Sequence, residues 1–263
     1  MHTLRAEAHP TMSLAPFRVI LAVLGFFLLD TAAADAGTIT LAGSNGPTTG
    51  WQSATAVVTF GNGTATVVLT NTTPRTQTSN QLLGGLLLDF VGVNPATVAL
   101  GSATAASRTI GTTGGHGTWS DLANVNLLTA APKGRPTWEV RTNGSALQLD
   151  FLPDVKYAIV GAPDAATGRY AMADAGIVGS RVHNPYVALT ATFVLTSSQF
   201  RPTTQVASAS FLFGTDLRTV VTGRVVTPVA NARLATVPVP PAAALGLGAL
   251  AALGAVRLAR RRA

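Results

Sequence analysis

Residues 54–71 read ATAVVTFGNGTATVVLTN. Two Val- and Thr-rich runs flank Gly61-Asn62-Gly63. β-Branched side chains fit a pleated, half-buried surface better than a helix. An Asn-Gly pair between two such runs marks a hairpin, because both residues tolerate positive φ in a turn. The same pair recurs at Asn45-Gly46 and Asn143-Gly144. The second of these centres another expected hairpin, TWEVRTNGSALQLDF over residues 137–151. Its apolar positions Trp138, Val140, Leu147, Leu149 and Phe151 alternate at period 2 within each arm.

Further strands are expected at residues 38–42, 82–91, 188–196, 206–214 and 219–229, each a short apolar or β-branched run bounded by turn residues. No segment before Ala242 shows a helical period. Residues 101–117 and 161–180 read as long loops. The expected fold class is therefore all-β: a sandwich-like exported domain with long loops, flanked by an N-terminal signal helix and a C-terminal transmembrane helix.

The ends carry the reasons for "exported". Arg18 precedes the apolar run VILAVLGFFLL (residues 19–29), and small residues follow it. That order is a secretory leader. Ala34 and Ala36 satisfy the small-residue rule, so cleavage is expected before Gly37, with Ala32-Ala33-Ala34 as the second choice. Met12 gives a more ordinary leader than Met1. The chain ends VPVPPAAALGLGALAALGAVRLARRRA. Residues 242–256 carry no charge, and a helix continued to Ala259 is about 27 Å long, enough to span the hydrocarbon core if Arg257 snorkels. Arg257, Arg260, Arg261 and Arg262 form a positive stop that stays on the cytoplasmic side. Three segments follow: a leader over 1–36, a β-rich exported domain over 37–236, and a tail over 237–263.

The exported segment holds 12 Lys+Arg and 8 Asp+Glu, a net of +4 (12 − 8), against +7 for the whole chain. Part of the basic character therefore comes from the tail arginines. No basic cluster remains to mark a nucleic-acid partner. Thr, Ser, Ala, Val and Gly dominate instead, so hydroxyls rather than charges solvate the surface. The chain has no cysteine, and about 200 residues bury a sufficient core without disulfides.

The order of Pro-x-Pro, short apolar helix and terminal arginines resembles the PEP-CTERM sorting signal of exosortase-processed bacterial proteins. The matching residues are Val237, Pro238, Val239 and Pro240, where Val239 stands in place of that family's usual glutamate. Residues 176–195 (GIVGSRVHNPYVALTATFVL) and 207–216 (ASASFLFGTD), with TNTTP at 70–74 and NQLLGGLLLDF at 80–90, are similar to the ectodomain of a subgroup of such surface proteins. The resemblance implies signal peptidase and an exosortase-type enzyme as partners, transient anchoring in the inner membrane, and a final place at the cell surface or in an extracellular polysaccharide matrix. It implies no catalytic residue and no cofactor.

The residues themselves offer little chemistry. His116 lies in GTTGGHGTWSD near Ser120 and Asp121, and His183 lies in RVHNPY. A Ser-His-Asp site can be drawn from Ser120, His116 and an aspartate, but no G-x-S-x-G elbow is present, so both histidines read as loop residues. Asp164 and Asp174 bracket an oxygen-rich loop without EF-hand spacing; a calcium clip between loops is the functional alternative to solvated aspartates. Glu139 and Asp150 read as ordinary strand charges rather than a hydrolytic pair. Trp51, Trp119 and Trp138 offer a sugar-stacking platform if they line up, and core packing if they do not. The expectation is a non-catalytic surface or matrix protein without metal or cofactor. A carbohydrate-binding module or adhesin is the alternative, and a secreted hydrolase the third reading.

Overall fold

The computed structural model of the chain describes residues 37–46, 51–112, 117–130, 136–151 and 155–226. Ala34 and Ala36, expected at the leader cleavage, Val237 to Pro240, expected as a sorting motif, the terminal arginines and His116 lie outside the described residues. Among the described residues no helix is long and apolar enough to cross a membrane.

Among the described residues twelve strands follow in chain order. They are β1 (Gly37–Ser44), β2 (Ser53–Phe60), β3 (Thr64–Asn71), β4 (Leu83–Phe90), β5 (Ala99–Gly111) and β6 (Thr118–Asn126), then β7 (Glu139–Asn143), β8 (Ala146–Asp150), β9 (Ile159–Val160), β10 (Tyr186–Thr196), β11 (Val206–Phe213) and β12 (Thr219–Val226). The two expected hairpins form as β2–β3 and β7–β8. In the first, Gly63 takes the positive φ (+79°), and in the second Gly144 does (+62°).

The all-β expectation holds, but the sandwich does not: eight strands close into a barrel. The ring runs β10-β3-β2-β1-β12-β11-β4 and returns to β10 through β9. Two residues make this closure, because β9 pairs parallel with β10 and antiparallel with β4. Two appendages widen the sheet: β5 and β6 extend from β10, and the β8–β7 hairpin extends from β4. A second correction concerns residues 101–117, read as a loop from sequence. Most of that stretch is β5, a 13-residue strand paired with both β10 and β6. Its sequence ALGSATAASRTIG is rich in small residues and carries little alternating hydrophobicity, which is what strand detection relies on.

The interior is filled by side chains, as in other small barrels. Inward positions of β2 run Ala54, Ala56, Val58, Phe60, all fully buried. They grow in size toward one end, where Phe60, Phe90 and Phe200 meet at centroid distances of 5.4–5.9 Å. The opposite end is closed by polar groups. Asn71 is the last inward residue of β3, and its Nδ2 donates to the carbonyls of Gln81 (2.9 Å) and Ile159 (2.8 Å). One side-chain amide thus ties β9 into the ring. Gly161, just after β9, approaches this plug closely: a Cβ there would lie 2.7 Å from Thr76 Oγ1 and 2.8 Å from the Thr73 carbonyl.

Candidate functional site

The polar end of the barrel carries residues 155–185, the long connection from β8 into β10. Its best-defined constellation surrounds Arg108. That side chain is inward on β5 and almost wholly buried. Its Nε and Nη2 each lie 2.7 Å from a carboxylate oxygen of Asp121, a bidentate pair across the β5–β6 ladder. Its Nη1 donates to the Tyr170 hydroxyl at 3.0 Å, and that hydroxyl donates to the Gly161 carbonyl at 2.8 Å. Trp119 covers the guanidinium, with Cζ 3.9 Å from the ring centroid. The indole N–H of Trp119 donates to the Gly168 carbonyl. A buried cation needs partners for its charge and its donors. Arg108 finds both, so the cluster clamps β6 and the 161–170 loop to the barrel.

Asn184 performs a similar task for the next turn. Its Oδ1 accepts from the Ile110 N–H (2.9 Å) and its Nδ2 donates to the Ile110 carbonyl (3.0 Å), copying a strand partner. Tyr186 is fully buried, with its hydroxyl within 3.1 Å of the carbonyls of Gly176 and Ile177. Burial pushes the ionisation of Tyr170 and Tyr186 above the ordinary phenol value, only partly offset at Tyr170 by the Arg108 hydrogen bond.

That shift has a definite sign. Each phenol holds its proton more tightly in the folded state than in the unfolded chain. Their contribution is complete below the unfolded value, about pH 10, and is lost as pH rises through the higher folded values. Stability is therefore expected to fall above pH 10, read as a decreasing urea midpoint between pH 9 and 11 at constant ionic strength. Tyr186→Phe should flatten that slope; an unchanged slope would detach the alkaline loss from this residue.

The sequence candidates are arranged as follows. Asp121 is engaged by Arg108. Ser120, its neighbour on β6, is the register partner of Thr109 and by strand alternation faces the opposite side. Those two members of the imagined triad therefore point apart. His183 is half-buried, its N–H donating to Ser180 Oγ, and its Nδ1 has no partner among the described residues. Asp164 bonds Arg75 at 3.2 Å and accepts from the Ala166 N–H. The Arg75 guanidinium, then the turn N–H groups, hold this carboxyl below its usual range. Asp174 accepts from the Gly176 N–H at 2.9 Å. Each aspartate closes its own turn, and no cluster of three potential metal ligands forms among the described residues.

Glu139 and Asp150, read from sequence as ordinary strand charges, are direct register partners. Arg141 pairs with both carboxylates. Asp150 has 0% side-chain exposure and also accepts from Gln148. A carboxylate without exposed surface has no access to a substrate, so this trio reads as an ion-paired strand feature. The tryptophans do not line up. Trp138 is 0% exposed, while Trp51 and Trp119 are 37% and 41% exposed. Trp51 lies between β1 and β2, and β3, β10 and β5 separate β2 from the β6 strand of Trp119. Where β12 parts from β1, a half-open groove of about 510 Å³ is lined by Ser44, Asn45, Val220, Thr222 and Arg224 among others.

Sequence reasoning missed Arg108 and Tyr170. Arg108 is the lone charge in a strand of small residues, and a lone charge there is a signal for an ion pair. Tyr170 sits in an irregular stretch with no period to read. No known protein family matches the chain, and no curated protein matches it.

Proposed function

We propose that the chain is a non-catalytic protein of the cell surface or extracellular matrix. Its leader exports it, its C-terminal helix holds it in the inner membrane, and an exosortase-type enzyme then removes the tail. The observation that carries this reading is the order of segments in one sequence: basic residue, apolar run and small residues at the start, and proline motif, apolar helix and arginines at the end. The barrel is compatible with it. Its interior is occupied by its own side chains, so contacts with other molecules fall on the outer surface and the loop-bearing end. Cleavage before Gly37 would also leave β1 whole, since Gly37 is its first residue and pairs with Phe60.

The proline motif separates sorting from simple anchoring. Residues 242–256 supply the apolar length and the arginines the orientation, so a plain anchor does not need Pro238 and Pro240. A processing enzyme does. Proline fixes φ and resists helix continuation, so an extended Pro238-Val239-Pro240-Pro241 just outside the bilayer is the form such an enzyme would grip. Pro238→Ala with Pro240→Ala is expected to leave insertion intact and stop tail removal. The variant should then accumulate in the membrane fraction of the native host while wild type is released. Equal release of both would leave only plain anchoring.

A further inference from the structure

The three Asn-Gly pairs of the sequence meet three different surroundings in the fold. Asparagine before glycine is thermolabile, because no side chain shields the glycine nitrogen from the asparagine carboxamide. All three asparagines are exposed. Asn45 is locked through its carboxamide: Nδ2 donates to Gln52 Oε1, and Oδ1 accepts from the Gln52 N–H at 2.8 Å. Its glycine is held as well, the Gly46 N–H donating to Ser44 Oγ at 3.2 Å. At Asn62 the lock is on the glycine alone, whose N–H donates to the Phe200 carbonyl at 3.1 Å. That turn joins two eight-residue strands of the ring. Asn143-Gly144 has neither lock. Asn143 and Ala146 are register partners, so Gly144 and Ser145 form a two-residue turn. Gly144 is exposed, at φ +62°, and its N–H has no hydrogen-bond partner among the described residues. Asn143 keeps one side-chain bond, from Nδ2 to Gln148 Oε1 at 2.7 Å. The turn closes β7, a five-residue strand at the end of the strand order. Opening such an edge costs less than opening the ring.

We propose that Asn143-Gly144 is a self-modification site of the folded protein, converted to aspartate and isoaspartate while Asn45 and Asn62 persist. The only co-reactant is solvent water. The Gly144 nitrogen gives its proton to hydroxide and bonds to Asn143 Cγ. The Cγ–Nδ2 bond breaks, Nδ2 takes a proton from water and leaves as ammonia, and a succinimide ring remains. Water then opens the ring, at Cγ to give aspartate or at the backbone carbonyl carbon of residue 143 to give isoaspartate. The net change is one amide and one water to one carboxylate and one ammonium. The product differs in two ways. A carboxylate at position 143 no longer donates to Gln148 Oε1. By strand alternation it lies on the face of Glu139 and Asp150, which already share Arg141, so a third acid meets one cation. Isoaspartate also adds a backbone carbon to a two-residue turn, which breaks the register of Asn143 on Ala146. Conversion therefore loosens β7 and leaves the ring intact. The site marks the age of a molecule at its edge, and the inference is independent of export and tail removal.

The test is timed incubation of the full-length chain in mild detergent and mildly alkaline buffer, followed by peptide mapping with mass spectrometry that separates aspartate from isoaspartate. In the folded protein Asn143 is expected to convert about tenfold faster than Asn45 or Asn62, because only its glycine is unheld and only its strand opens cheaply. In denaturant the three should convert at similar rates, since the locks are gone. Hydrogen exchange of the converted protein should rise in β7 and stay unchanged in β2 and β3. Asn143→Gln keeps the amide but demands a larger ring, so this variant should stay unconverted at that position and hold the exchange of fresh wild type in β7. The proposal is overturned if the three sites convert equally in the folded protein, or if Asn62 leads. It is also overturned if Asn143 stays intact over a time in which the denatured chain converts fully, or if conversion leaves β7 exchange unchanged.

Discussion

Replacing Trp138 with alanine is expected to cost about 3–5 kcal/mol of folding stability, the usual range for an aromatic lost from a core. Trp138 has no exposed surface. Its ring lies 4.8 Å from that of Phe193 and 6.2 Å from that of Phe151, and its indole N–H donates to the Tyr157 carbonyl at 2.9 Å. The residue joins the β7–β8 appendage to the barrel wall, since Phe193 belongs to β10. A domain with about 5–15 kcal/mol in total would lose a large share of its stability. Urea denaturation followed by far-UV circular dichroism gives the number. Trp119→Ala is the internal control: that ring is partly exposed and contributes chiefly a cation–π contact, worth about 0.5–2 kcal/mol. If Trp138→Ala cost no more than Trp119→Ala, Trp138 would be a surface residue and the barrel packing wrong.

Asn71→Leu is the second large effect. The side chain is 2% exposed and makes three hydrogen bonds, to Gln81, Ile159 and the Thr73 N–H. Leucine has a similar volume but leaves these buried groups without that partner, at about 1–3 kcal/mol for each one that stays unsatisfied. Relaxation reduces the sum, so about 3–5 kcal/mol is expected. The loss has a location as well as a size. Asn71 holds β9, and β9 closes the ring, so the β9–β10 contact should open before the β2–β3 hairpin does. Native-state hydrogen exchange reads this directly. The Val187 N–H, bonded to the Ala158 carbonyl at 2.9 Å, should exchange much faster in the variant, while amides of β2 and β3 change only with global stability. Uniform acceleration across all strands would show that Asn71 has no special part in closure.

How legible was this fold in its sequence? The β2–β3 hairpin was, because Gly61-Asn62-Gly63 supplies turn chemistry between two alternating runs and local physics suffices to form it. Strands β4, β10, β11 and β12 were found for the same local reason, within a few residues of their ends. The barrel itself was not. Closure depends on Ile159 and Val160, two residues too short to show any period, and on an amide 88 residues away in sequence. Strand β5 was hidden by Ser-Ala-Thr-Ala-Ala-Ser, whose small side chains pack against β10 and β6 without an apolar alternation. The candidate site followed the same division. Glu139 and Asp150 were visible as acids, but their pairing through Arg141 needed the register of β7 on β8. The low charge of the sheet was visible only as composition, since low charge in a sequence says nothing about where the hydroxyls gather. Strand order places that composition on five adjacent strands, β1, β2, β3, β10 and β5.

The proposed leader and tail imply that this barrel is delivered outside the cell and released by processing at its C-terminal end. Intact mass of the protein recovered from its native host tests both ends at once. The account predicts a released species that begins at Gly37 and lacks the apolar helix and the four arginines Arg257, Arg260, Arg261 and Arg262. A species that retains Arg18 and the run after it, or one found only in membranes with Arg262 still attached, would contradict it.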